Sequence, residues 1–236
     1  MVTVDIAGLK LKPQSVVLDA GCGTGRHLRE LMSNPDWKIV GIDKNEKDLL
    51  DAARSLKDLK EMFGLTNNNC SVMKADINKL PFADETFDCV ICSEVLEHIP
   101  QHHDALQELL RVLRPQGDLI ISVPRYFPER ICWLISPAYH NEDGGHIRIY
   151  KKKQLRKMLA GHGIECWKIN YKHALHAPYW WLKCMVGLKN EAHWLVMYYK
   201  KFLEWDIMQK PLLTRMLEGL LNPFLGKSIV FYLRKG

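Results

Sequence analysis

The residues best placed to do chemistry in this 236-residue chain are acids that close short apolar runs. Val16-Val17-Leu18 runs into Asp19 and then Gly21-Cys22-Gly23-Thr24-Gly25. Ile39-Val40-Gly41-Ile42 ends in Asp43, Cys70-Ser71-Val72-Met73 leads to Asp76, and Cys89-Val90-Ile91-Cys92 leads to Ser93-Glu94. Glycines after a buried strand let a ligand approach the backbone closely. A dinucleotide fingerprint would need a third glycine at 26, where Arg26 stands. A phosphate loop would need Gly-Lys-Ser/Thr, which the glycine run lacks. Asp43, at the end of the next apolar run, is placed to accept both hydroxyls of a ribose. The pattern fits a nucleoside ligand without a pyrophosphate. S-adenosylmethionine, with its ribose, adenine and charged amino-acid tail, is such a ligand.

These residues need a scaffold that gathers strand ends. Apolar runs at 15–19, 38–43, 70–74, 87–92 and 118–123 read as buried strands. Helical spacing lies between several of them, over 25–33, 45–63 and 101–113. Strand and helix are expected to alternate throughout, each crossover being long enough for a helix, so the strands should be parallel. Past Pro124 the pattern changes. Residues 125–147 read as a loop or short helical segment, 151–159 as a basic helix, and 164–171 and 228–233 as further strands. Ligands of such an open sheet bind beyond the carboxyl ends of its strands.

Val17-Leu18-Asp19-Ala20-Gly21-Cys22-Gly23-Thr24-Gly25 resembles the first motif of class I S-adenosylmethionine-dependent methyltransferases, and Gly41-Ile42-Asp43 resembles their second. Ala75-Asp76-Ile77, Leu80-Pro81-Phe82 and Phe87-Asp88 resemble the third and fourth. Ser93-Glu94-Val95-Leu96-Glu97-His98-Ile99 and Leu113-Arg114-Pro115-Gln116-Gly117-Asp118-Leu119 resemble signatures of the type-11 branch, which includes ubiquinone- and menaquinone-pathway enzymes. Gln116 departs from the glycine usual there. The resemblance spans roughly residues 15–165. It implies an α/β fold: a Rossmann-like, doubly wound, seven-stranded sheet, mostly parallel with an antiparallel last strand. It also implies roles. Asp19 and the backbone of Ala20, Gly21 and Gly23 would hold the methionine end. Asp43 would hold the ribose, with Lys44 beside the adenine. Asp76 would take the adenine amino group, Ile77 would lie against the ring, and Ser93 would line the methionine side.

Methyl transfer needs alignment and exclusion of water, and a hydroxyl acceptor also needs a base, usually His. His98, at the mouth after the fourth strand, and His146, in a His-x-Arg segment resembling that of type-11 enzymes, are the expected catalytic residues. His140, His173 and His176 are expected near the acceptor, with Tyr179 and Trp180. Glu94, Glu97 and His98 also resemble a metal cluster of ubiquinone O-methyltransferases. If the segment turns helically, Glu94 and His98 share a face. A metal is nevertheless not expected, and Cys89-x-x-Cys92 reads as packed core cysteines rather than a zinc or redox pair.

Composition narrows the partners. Apolar residues make up 47% and charged residues 25%, as in ordinary globular proteins. Neither a secretory leader nor a membrane-spanning run is expected, and seven cysteines in a chain of this size point to reduced thiols and the cytoplasm. Residues 1–150 carry a net charge of −5 and residues 151–236 one of +11. The excess falls mostly on 151–172, as a solvated helix face, so nucleic acid is not the expected partner. Peripheral contact with an anionic membrane stays open. Residues 1–172 and 226–236 form the expected cofactor-binding core. Residues 173–225 form a helical, aromatic-rich insertion, with Trp194, Tyr198, Phe202 and Trp205 at helical spacing, expected to pack on the sheet and to cover the acceptor. The expected acceptor is a small, partly apolar molecule, lipid- or isoprenoid-linked. Two alternatives are an RNA or protein methyltransferase and a non-catalytic cofactor-binding partner subunit. The oligomeric state is not legible.

Overall fold

The apolar runs become strands because each can be buried on both faces of one sheet. The computed structural model describes residues 2–64, 69–141 and 145–236, without the side chains of His140 and Asn141. Its strands are β1 (Val16–Ala20), β2 (Lys38–Asp43), β3 (Cys70–Lys74), β4 (Phe87–Ser93), β5 (Leu113–Pro124), β6 (Ile164–Lys172) and β7 (Ser228–Lys235). Its helices are α1 (Arg26–Leu31), α2 (Glu46–Phe63), α3 (His102–Val112), α4 (Tyr126–Ile135), α5 (Ala138–Asn141), α6 (Lys152–Ala160), α7 (His176–Val186), α8 (Trp194–Gln209) and α9 (Leu212–Leu225).

The seven strands form one sheet in the order β3-β2-β1-β4-β5-β7-β6. β1 pairs in parallel with both β2 and β4, whereas β7 runs antiparallel between β5 and β6. The chain moves outward from β1 to β3, then restarts at β4 on the other side. The switch point therefore lies between β1 and β4, where a parallel sheet leaves a crevice. Alternate residues feed two cores. Val17, Cys89, Ile91 and Ile120 pack with Leu28, Leu31 and Leu49 under α1 and α2. Leu18, Val90, Cys92 and Ile121 pack with Leu106, Leu109 and Leu155 under α3 and α6. Cys89 and Cys92 thus point to opposite faces of the sheet, fully buried, as packed residues.

Three expectations need correction. No helix forms between β3 and β4: the connection is a loop with a bridge between Asp76 and Lys79. Arg111 of α3 holds it down instead, donating to the carbonyls of Leu80 and Phe82 and to Asp84 and Glu108. β5 starts at Leu113, directly after α3, and Gln116 takes φ 63° in the left-handed region that glycine occupies most easily. Third, the α8 stripe is not a core face: Trp194 and Tyr198 are 61% and 62% exposed, with Val196, Leu203 and Asp206 turned inward instead. The basic residues of 151–157 are exposed around α6, as a solvated face should be.

Candidate functional site

A cavity of about 570 Å³ opens at the switch point. Its floor is the glycine loop after β1. Gly21 N–H donates to Ile42 O at 2.8 Å and Cys22 N–H to the same carbonyl at 2.9 Å, tying the loop to β2. Gly21 sits at φ 79°, and a Cβ there would meet Val95 Cγ2 at 2.4 Å. Only glycine allows this turn beside the β4 loop. At Gly23, by contrast, a Cβ would meet nothing within 4 Å.

The acids close the walls. Asp43 Oδ2 accepts from Gly23 N–H and Oδ1 from Asn45 N–H, both at 2.8 Å. Each oxygen keeps a lone pair for a further donor. Asn45 caps α2, its side chain accepting from Lys47 N and Asp48 N. Asp76 Oδ1 accepts from Asn78 N–H at 2.9 Å, leaving Oδ2 with Lys44 Nζ at 3.9 Å. Ile77 and Ser93 complete this part of the wall. Ser122 Oγ donates to Glu94 Oε1 at 2.9 Å, so the 2.7 Å contact between Ser93 and Ser122 is donated by Ser93. The lone pairs of Ser93 are what it offers a ligand.

Gly21, Gly23, Asp43, Lys44, Asp76, Ile77, Ser93 and His98 thus share one cavity. Asp19 and Ala20 do not line it; they are 1% and 0% exposed behind it. Asp19 has no hydrogen-bond partner among the described residues, with His27 Nδ1 3.8 Å away. Burial is the main cause that raises its carboxyl to about 7.

At the mouth, the β4–α3 loop holds Glu94, Glu97 and His98. It is a turn, not a helix, and Glu94 sits at φ 58°. Glu94 therefore faces Ser122 and does not share a face with His98. The set whose ligand atoms lie within 4.8 Å of one another is Glu97, His98 and His146. Glu97 is fully buried with neither oxygen bonded. Burial, then the Glu94 charge beside it, push its carboxyl well above the usual carboxylate range. Burial and then His146 lower the His98 imidazole below its ordinary value. Residues 146–150 lock this loop. Ile147 N–H donates to Glu97 O, and Arg148 donates to the carbonyls of Leu96, Ile99 and Pro100. Tyr150 adds its hydroxyl to Leu96 O at 3.2 Å.

The sequence reading missed the group that organises His146. Glu129 of α4, fully buried, accepts from His146 Nδ1 and from Lys227 Nζ at 3.2 Å. Burial alone would raise its carboxyl, but the His146 hydrogen bond and the Lys227 charge outweigh that and hold it at about 2. Rings then continue outward: His98 to His146 at 5.0 Å, His146 to Tyr139 at 6.1 Å, Tyr139 to Trp180 at 5.9 Å, and Trp180 to Tyr179 at 5.9 Å. His140 lies in α5, and its side chain is outside the described residues.

His173 and His176 lie elsewhere. They line a separate cavity with Glu218, Asp206, Lys172, Lys210 and Arg215. His173 Nε2 contacts Thr3 Oγ1 at 3.2 Å. His173, His176 and Glu218 could together ligate a cation, but the three basic side chains in the same wall oppose one.

A family model described as a methyltransferase domain matches residues 11–194. Cycloartenol-C-24-methyltransferase 1 of Oryza sativa subsp. japonica is 31% identical over 147 residues, which are 62% of this chain and 39% of that protein. Sterol 24-C-methyltransferase erg6 of Aspergillus fumigatus is 32% identical over 139 residues, 59% of this chain and 33% of that one. The match therefore spans well under half the length of these curated relatives. A putative methyltransferase from Bacillus halodurans shares the fold, with a TM-score of 0.62 at 23% identity over 96% of this chain and 94% of that one.

Proposed function

The chain belongs to the methyltransferase-domain family, and from that premise we propose that it moves a methyl group from S-adenosylmethionine to a small, partly apolar acceptor of the lipid or isoprenoid kind. The observation that carries this reading is the single cavity joining the glycine loop, Asp43, Asp76, Ser93 and His98. Its residues fit the cofactor. The free lone pairs of Asp43 suit the two ribose hydroxyls, and Asp76 Oδ2 suits the adenine amino group. Ile77 offers an apolar surface for the ring, and the open space at Gly23 lets the methionine end lie on backbone. When bound, the cofactor supplies an electrophilic methyl on a sulfonium.

The chain's own residues then have to orient the acceptor and take a proton. The His98 Nδ1–H can donate to Gly145 O at 3.2 Å, leaving Nε2 free to accept. Its lowered affinity for protons keeps the imidazole neutral at pH 7. Oxygen and carbon acceptors both lose one proton, so either is served by this nitrogen. His146 is a positioning residue, fixed by Glu129 on one side and packed against His98 on the other. Tyr139, Tyr179 and Trp180 give the acceptor side an apolar, ring-lined character. In this reading α7 covers the acceptor and no metal takes part, so an excess of chelator leaves turnover unchanged.

The names of the relatives, which cite cycloartenol and sterols, support an apolar isoprenoid-like acceptor. The buried thiols suit the cytoplasm. The test is incubation of purified protein and labelled S-adenosylmethionine with total lipid extract and with total RNA. Label entering lipid supports the reading, and label entering RNA alone overturns it.

A further inference from the structure

α9 is amphipathic, but inside out. Its polar residues are used by the body of the protein. Thr214 is buried, and Arg215 pairs with the buried Asp206 and, at 3.1 Å, with Glu218. Asn222 Oδ1 accepts from Ala174 N–H at 3.0 Å. The apolar face is left outside: Leu212, Leu213, Met216, Leu217, Leu220 and Phe224 are between 43% and 80% exposed. α8 shares part of the arrangement, although Val196 and Leu203 are buried as well. Asp206 points inward while Trp194, Tyr198, Trp205 and Met208 face out. A surface helix ordinarily buries its apolar stripe and wets its polar one. Two helices consecutive in the chain, joined by the Asp206–Arg215 ion pair, thus both turn large apolar side chains to solvent, more than the scattered single residues of an ordinary surface.

We propose that α8 and α9 dock this protein in the plane of a lipid bilayer that carries anionic headgroups. The residue types fit an interface: Trp and Tyr present a polar tip on an apolar body, and Leu, Met and Phe supply the inserted part. Lys200, Lys201 and Lys210 are exposed on or at the end of α8, beside that surface. Glu204 is the one exposed acid among residues 194–210, so these lysines leave the local charge positive. That charge attracts anionic headgroups, whereas a second copy of the chain would bring the same sign to the same face. No helix among the described residues is long and apolar enough to cross a membrane, so the contact is in-plane. The inference does not depend on the acceptor.

The experiment uses the full chain and vesicles of phosphatidylcholine with or without phosphatidylglycerol, without S-adenosylmethionine. The wild type co-sediments with the anionic vesicles, and the triple variant L213S/M216S/L220S binds them at least about tenfold more weakly. Because the substituted side chains are exposed, the variant keeps its thermal midpoint and its S-adenosylmethionine affinity, which separates this test from the functional reading. Wild-type protein that stays in the supernatant overturns the proposal, as does a variant that still binds. A wild-type dimer that the variant splits, with neither binding vesicles, assigns the face to a second copy and overturns it as well.

Discussion

His146 gives its Nδ1–H to Glu129, a carboxylate with no solvent exposure that also receives Lys227 at 3.2 Å. Residues from α4, from the segment before α6 and from the position just before β7 thereby meet beneath the mouth of the cofactor cavity. Removing one member of a buried ion pair leaves the other uncompensated. Glu129→Gln should therefore cost about 3 kcal/mol of stability, and adding Lys227→Met should recover part of it. Chemical denaturation of the two single variants and the double variant measures the coupling. Equal loss in the double variant and the sum of the singles would show the pair to be independent. Glu129→Gln should also lower kcat by about tenfold or more while leaving KM for S-adenosylmethionine nearly unchanged.

His98 acts as a base only when neutral. Burial and His146 lower its proton affinity below the ordinary value of 6.5. The acid limb of the rate profile should therefore lie below pH 6.5, with activity flat above it. His98→Gln should remove that limb and most of the rate, about a hundredfold. A profile whose acid limb is unchanged in the variant would assign the base elsewhere.

Asp19 is buried without a hydrogen-bond partner among the described residues, and its carboxyl is raised from 3.8 to about 7. A raised folded value means the proton is held more tightly in the folded state. The stabilisation is complete below pH 3.8 and is lost as pH rises to 7. Asp19→Asn has no such dependence. Its stability relative to wild type should therefore rise by about 4 kcal/mol between those limits and stay level above pH 7. His27, lowered to about 3, has the opposite slope but is common to both proteins. Unfolding curves at a series of pH values would show the difference. A constant gap would mean that Asp19 ionises normally.

Gly21→Ala should destabilise the chain by about 2 kcal/mol or more, because its φ of 79° and Val95 Cγ2, 2.4 Å from the new Cβ, both oppose it. Val95→Ala should restore the steric part only. Thermal unfolding of the single and double variants separates the two contributions.

How far the sequence reached depended on whether a signal was local. A strand that ends in an acid or in glycines places Asp43, Asp76, Ser93 and Gly21 at the same edge of the sheet, so these residues were legible. Glu129 and Lys227 carry no such spacing and meet only through the packing of α4 on the end of the sheet. The loop that stands in place of a helix between β3 and β4 is held by Arg111, a residue of another element. The apolar stripes of α8 and α9 were visible in their periodicity. Periodicity says that a helix has an apolar face, however, and not which way that face turns. The buried polar residues Asp206 and Thr214 decide the direction, and their partners lie on other elements or turns.

Binding of S-adenosylmethionine to the purified chain, followed by calorimetry, tests the central claim most directly. The wild type should bind one equivalent, and Asp43→Ala, at a side chain that accepts only backbone N–H groups in the described structure, should lose about 2 kcal/mol or more of that affinity while staying folded. No heat of binding in the wild type, or unchanged affinity in Asp43→Ala, would contradict the account.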